Sequence, residues 1–163
     1  MIRSRALFLL GLALLVVSCA TRYHEVAGWR ALQPGVGLRV EKGQGPEGSP
    51  ALSVLYTLVP GQSYAIERRL ALERGNSQPS VSLLLRATRV LHLAVVLVDE
   101  QGTEHEAVRT LAAGDWHEVQ FAGFFPPLEA SAEVQALRLV DRTGALGGQG
   151  PVSLKLVDLT SER

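Results

Sequence analysis

The 163-residue sequence predicts an all-β sandwich or barrel of about nine or ten strands. Three observations carry that prediction. Apolar residues alternate with period two in several short runs. Turn residues separate those runs at regular intervals, and no long segment carries a convincing helical pattern. With 47% hydrophobic residues and no net charge, the chain is long enough for one compact domain and too short for two. Lys and Arg are scattered, so the concentrated positive surface of a nucleic-acid binder is not expected. Aromatic residues make up only 6%, so an aliphatic core is expected with Trp29, Trp116, Phe121, Phe124 and Phe125 as its large fillers.

The central stretch, residues 81–121, reads as four consecutive strands forming a meander. Val81, Leu83, Leu85 and Ala87 share one face of the first, and Leu91, Leu93, Val95 and Leu97 one face of the second. Asp99-Glu100-Gln101-Gly102 is a turn, residues 104–111 are the third strand, and Ala112-Ala113-Gly114-Asp115 turns the chain into residues 116–121. If that last turn closes a hairpin, His117 pairs with Arg109 and His105 with Phe121. Upstream, residues 37–41 and 51–59 are strands. Between them, Gly43 to Gly48 matches the letters of a dinucleotide-binding loop, but no helix follows and Pro46 removes an amide, so a hairpin loop is expected. Residues 64–72 contain good helix formers, yet alternation and short length favour a strand. Downstream, Pro126-Pro127 ends the fourth central strand, residues 128–132 are expected to make one helical turn, and residues 134–140 and 152–159 are the last strands.

The N-terminus reads differently. Arg3 and Arg5 precede twelve apolar residues, Ala6 to Val17, and then Val16-Val17-Ser18-Cys19, which resembles a bacterial lipobox. Twelve residues fall short of the roughly 20 that span a bilayer. Residues 1–18 are therefore read as a lipoprotein signal peptide, Cys19 as the lipidated N-terminus, residues 19–27 as a tether, and 28–163 as the sandwich. Cys19 is the only cysteine, which leaves no intrachain disulfide. Ala20 in place of Asp resembles the sorting pattern of outer-membrane lipoproteins, which places the protein in the cell envelope at the periplasmic face of the outer membrane. Removal of residues 1–18 takes Arg3 and Arg5 away and leaves acidic residues in excess by two. Lipid, not charge, is then the link to the membrane.

Several segments together resemble the galactose-binding-domain-like jelly rolls, in particular those related to carbohydrate-binding module family eleven and the complex I intermediate-associated protein group. The segments are Gly48 with Ala51-Leu52-Ser53-Val54 and Tyr56, the runs 81–87 and 93–102, Asp115-Trp116 with Val119 and Phe121, and the closing 152–159. The resemblance implies a jelly-roll sandwich that binds sugars on a concave sheet or at loop tips. It also implies a structural calcium, for which Asp158 is the single matching ligand, although calcium takes six to eight oxygens. No other cofactor is expected.

Catalytic readings are weak. His24, His92, His105 and His117 lack zinc-site spacing, Ser63 sits in a turn and not at a nucleophile elbow, and Asp99, Glu100, Glu104 and Glu106 fall in turns and edges. The face opposite the core carries Ser82, Leu84, Arg86, His92, Ala94, Val96 and Val98, too apolar to be left wholly in water. Either the chain covers it, or it forms a groove with Arg86 and His92 as polar contacts and Arg69 or Glu67 at the rim. Aromatic platforms for sugar rings are missing from these strands. The expectation is a non-enzymatic envelope lipoprotein whose domain binds carbohydrate or cell-wall glycan. The alternative is a structural or protein-interaction lipoprotein without a glycan ligand.

Overall fold

The computed structural model describes residues 28–70, 81–120 and 134–159. It is an all-β jelly-roll sandwich. The strands are β1 (Trp29–Ala31), β2 (Gly37–Glu41), β3 (Ala51–Leu58), β4 (Tyr64–Arg69), β5 (Ser82–Ala87), β6 (Leu91–Asp99), β7 (Glu104–Leu111), β8 (His117–Gln120), β9 (Val134–Asp141) and β10 (Gly150–Asp158). They form two five-stranded sheets, ordered β1-β4-β9-β6-β7 and β2-β3-β10-β5-β8, and every strand pairing is antiparallel.

The core lies between the sheets and is aliphatic. Leu52, Val54, Leu83, Leu85, Leu154 and Leu156 of one sheet meet Leu91, Leu93, Val95, Leu97, Leu137 and Leu139 of the other, all buried. Strict alternation places these residues inward, because successive side chains of a strand point to opposite faces. Trp29 joins this layer as expected. Phe121, Phe124, Phe125 and the proposed turn at 128–132 lie outside the described residues, as do Cys19, the signal peptide and the tether.

The central stretch is not a meander. β5 belongs to one sheet and β6 to the other, and β8 returns to pair with β5 while β7 pairs with β6. His117 therefore lies opposite Leu85, and His105 opposite Leu97. The expected β7–β8 hairpin fails because the turn at 112–115 crosses between sheets: Gly114 donates its amide to the carbonyl of Ala87 at 2.9 Å. Elsewhere the expected strands are present within a few residues. The glycine-rich loop after β2 is a hairpin connection around a 3-10 turn, Pro46–Gly48, and residues 64–69 are strand and not helix. The Asp99 turn also forms as expected, with the Gly102 amide bonded to the Asp99 carbonyl at 3.0 Å and a positive φ at Gly102.

Two polar links cross the aliphatic layer, one at each end. At the first, the Tyr56 hydroxyl on β3 donates to Asp141 Oδ2 on β9 at 2.6 Å, and Asp141 Oδ1 accepts the amide of Thr143 at 2.8 Å and its hydroxyl at 2.5 Å. Burial, with the Asp141 carboxylate beside it, pushes the Tyr56 phenol far above its ordinary value of 10. Tyr64 stacks on Tyr56 with ring centroids 5.0 Å apart. The loop after β9 is pressed onto the β3–β4 turn here, since a side chain at Gly144 would meet the Val59 and Gln62 carbonyls within 3 Å. At the second end, Arg68 Nε on β4 lies 3.1 Å from Asp158 Oδ2 on β10, both side chains nearly buried.

Asp158, the residue matched to a calcium ligand, faces the Arg68 guanidinium inside the sandwich, and no group of three or more potential metal ligands occurs among the described residues.

The two links differ in what their loss exposes. Asp158→Ala leaves the Arg68 charge facing the core, and urea unfolding is expected to show a loss of about 3 kcal/mol. Tyr56→Phe leaves Asp141 bonded twice to Thr143, with a smaller loss of about 1 kcal/mol. Equal losses would contradict this assignment.

Candidate functional site

Folding one chain into two sheets gives the molecule two outward faces, and the expected contact residues divide between them. Arg69 and His92 stand on the β1-β4-β9-β6-β7 sheet, whereas Arg86 stands on the β2-β3-β10-β5-β8 sheet. The groove expected to combine them does not exist, because β5 and β6 point their outer sides away from each other.

On the first face, ion pairs run across the strands. Glu67 on β4 is held between Arg30 on β1 and Arg138 on β9, the latter at 2.9 Å, and Arg138 also pairs with Glu104 on β7. Arg142 pairs with Glu106. Val96 lies in register between Arg138 and Glu106, and both Val96 and its neighbour Ala94 are buried. The apolar residues of this face are thus flanked by long charged side chains of the protein itself. Burial pushes the Glu67 carboxyl up, but hydrogen bonds and charge from Arg30 and Arg138 outweigh it and hold the group below its ordinary value of 4.5. The His92 ring meets the Thr110 hydroxyl at 3.3 Å.

The second face is organised differently. The registers Arg39↔Ser53, Ser53↔Lys155 and Lys155↔Arg86 place these four residues in one row running at right angles to the strands. The β5–β8 register ends with Leu85 opposite His117, and Trp116, the residue just before β8, stands half-buried next to that end of the ladder. Four strands contribute one residue each, Arg39, Ser53, Lys155 and Arg86, and Trp116 stands just before the fifth strand, β8. Expected as a core filler, Trp116 is half-buried and is not among the buried core residues.

Hydrogen bonds hold the row in shape. Arg86 Nε donates to the Gly114 carbonyl at 2.6 Å, which ties the arginine to the turn that carries Trp116. Lys155 Nζ donates to Gln44 Oε1 at 2.6 Å and lies 3.4 Å from Glu41, which also pairs with Arg39. The Arg39 hydrogen bond, followed by that of Lys155, keeps the Glu41 carboxyl below its ordinary value. Ser53, in the middle, is buried. Glu118 sits at the β8 edge of this face, with its carboxyl lowered by hydrogen bonds from Gln120 and Ser82. Chemically the row offers an aromatic surface for stacking, two guanidinium groups and an ammonium group for oxygen acceptors, and no activated nucleophile.

No protein-family model matches the chain, and no curated protein matches it. Solved structures do. A family 11 carbohydrate-binding module of the cellulosomal cellulase Lic26A-Cel5E of Clostridium thermocellum has a TM-score of 0.53 at 12% identity, over 80% of this chain and 88% of that one. A family 11 module from Clostridium thermocellum in complex with a β-1,3-1,4-mixed-linked tetrasaccharide has a TM-score of 0.52 at 12% identity, with the same coverage. The CBM22-1-GH10 modules of the Clostridium thermocellum xylanase Xyn10B, complexed with xylohexaose, match with a TM-score of 0.53 at 16% identity, over 81% of this chain and 26% of that one. At such identities the likeness establishes a shared fold.

The first face makes stability depend on acid. A carboxyl whose folded value lies below its unfolded value stabilises the fold above the unfolded value, about 4.5, and loses that contribution as pH falls through the folded one. Between about pH 6 and about pH 3, the urea midpoint of the wild type is expected to fall more steeply than that of Glu67→Gln. Parallel curves would show that the arginine pair does not hold Glu67 ionised.

Proposed function

We propose that this protein is a non-catalytic carbohydrate-binding module that works from the cell envelope, anchored by lipid on Cys19 at the periplasmic face of the outer membrane. The observation that carries the binding reading is the Arg86–Lys155–Ser53–Arg39 row on one sheet face, with Trp116 following the turn to which Arg86 is bonded. An indole stacks against the C–H face of a sugar ring, and neighbouring guanidinium and ammonium groups donate hydrogen bonds to its oxygens. The fold shared with modules solved with oligosaccharides supports this reading.

A binding role also agrees with how the carboxylates are used. Glu67, Asp141 and Asp158 are each engaged by structural partners, and Asp99 accepts the Gln101 and Thr103 amides within its turn. Arg69 and His92, on the opposite sheet, have no part in the proposed site.

The anchor is supported by the sequence before Cys19 and by the fact that this is the sole cysteine. No helix among the described residues is long and apolar enough to cross a membrane.

Affinity electrophoresis of the full chain against a panel of plant and bacterial polysaccharides tests the site. At least one glycan is expected to retard the protein, and Trp116→Ala to weaken that retention about tenfold while leaving the circular dichroism spectrum unchanged. A folded wild type retarded by no glycan would remove the proposal. For the anchor, Cys19→Ser is expected to abolish labelling by a fatty-acid analogue and to release the protein from membranes. Labelling that persists in the variant would overturn the lipid assignment.

A further inference from the structure

We propose that the ligand of this row is an acidic polysaccharide, recognised through Arg86, Lys155 and Arg39, with Trp116 stacking on a sugar ring at one end. The inference rests on the carbohydrate-binding reading and adds the chemical class of the ligand. Its basis is a conflict between the row and the needs of the fold.

Lys155 and Arg86 are direct cross-strand partners on adjacent central strands. Like charges in that position destabilise a sheet. The opposite face of the same molecule shows how such positions are filled when stability alone is served: Arg138 lies directly opposite Glu67 and is bonded to it. On the row, three cations stand with one carboxylate, Glu41, which is shared between Arg39 and Lys155. Of the described acidic residues near the row, Glu118 turns to Ser82 and Gln120, and Asp115 lies just before Trp116. The row therefore keeps an excess of positive charge in the middle of a sheet. The chain as a whole has no net charge, so this charge is local and does not follow from overall composition.

The geometry matches a chain with repeating anions. Neighbouring strands lie about 4.8 Å apart, so Arg86 and Lys155 are separated by about one strand spacing, and Lys155 and Arg39 by about two. These steps are of the order of one and two sugar residues. Guanidinium groups bind carboxylate and phosphate through paired hydrogen bonds. Exposure supports access at Arg39, whose side chain is 67% exposed, and at Arg86, while Lys155 keeps 21% of its side chain exposed and Ser53 is buried between them. A neutral glycan would use the aromatic ring and hydroxyl-directed hydrogen bonds, but it would leave the excess charge unmatched.

Affinity electrophoresis of the full chain provides the test, with polygalacturonate, a phosphomannan, a neutral mixed-linkage β-glucan and polyglutamate as probes. Polygalacturonate or phosphomannan is expected to retard the protein, and which of them does so identifies the anion as carboxylate or phosphate. Retention is expected to weaken with added salt and to fall about tenfold in Arg86→Gln and in Lys155→Gln. Arg69→Gln, on the other sheet, is expected to leave it unchanged. If Arg86→Gln does not fold, Lys155→Gln carries the test, as its main-chain position in β10 requires no charge. Retention on the β-glucan alone, insensitive to both substitutions, would overturn the acidic class and leave the carbohydrate-binding reading in place. Equal retention on polyglutamate would show a general polyanion surface and overturn the inference. No retention on any glycan would overturn both readings.

Discussion

A single aliphatic layer shared by two sheets is the constraint on which the rest of the molecule depends. Every strand that contributes to it gives up alternate residues to the interior, and the remaining residues form two outer faces. The layer is built almost wholly from Leu, Val and Ile, with few aromatic rings to span it. Tyr56–Asp141 and Arg68–Asp158 pin the sheets together at its two ends, where a purely apolar contact would leave the β9 loop and the last residues of β10 less well placed. Such links hold position more than they add stability, because buried charges lose hydration in forming them.

The outer faces show two uses of the same geometry. On the β1-β4-β9-β6-β7 sheet, opposite charges occupy facing positions and flank Ala94 and Val96. That face is satisfied internally. On the β2-β3-β10-β5-β8 sheet, Lys155 and Arg86 occupy directly opposed positions, an arrangement of like charges that does not favour the sheet. A face of the second kind is suited to a partner from outside.

Much of the fold was legible in the sequence. The alternation in residues 51–58, 82–87 and 91–97 identified both the strands and their inward residues, and the turn chemistry at Asp99–Gly102 and around Gly43–Gly48 marked where the chain reverses. Less of the site was legible. Alternation says which side of a strand a residue occupies but not which sheet the strand joins, so Arg86 and His92 seemed to share a face that the sandwich splits. Trp116 was assigned to the core by its size, and it stands half-buried just before β8. Nothing in the linear sequence connects Asp158 to Arg68, ninety residues away.

By itself, the sequence determined the all-β class, the strand boundaries within a few residues and the inward half of each strand. These depend on local hydrophobic period and turn chemistry, which are properties of neighbours along the chain. The tertiary structure alone decided strand order and register, and with them the row from Arg39 to Trp116. That row draws on β2, β3, β10, β5 and the approach to β8, strands far apart in sequence. Only the burial of one shared apolar layer brings them side by side, since hydrogen bonding between strands is indifferent to side-chain identity and the core alone selects which strands meet.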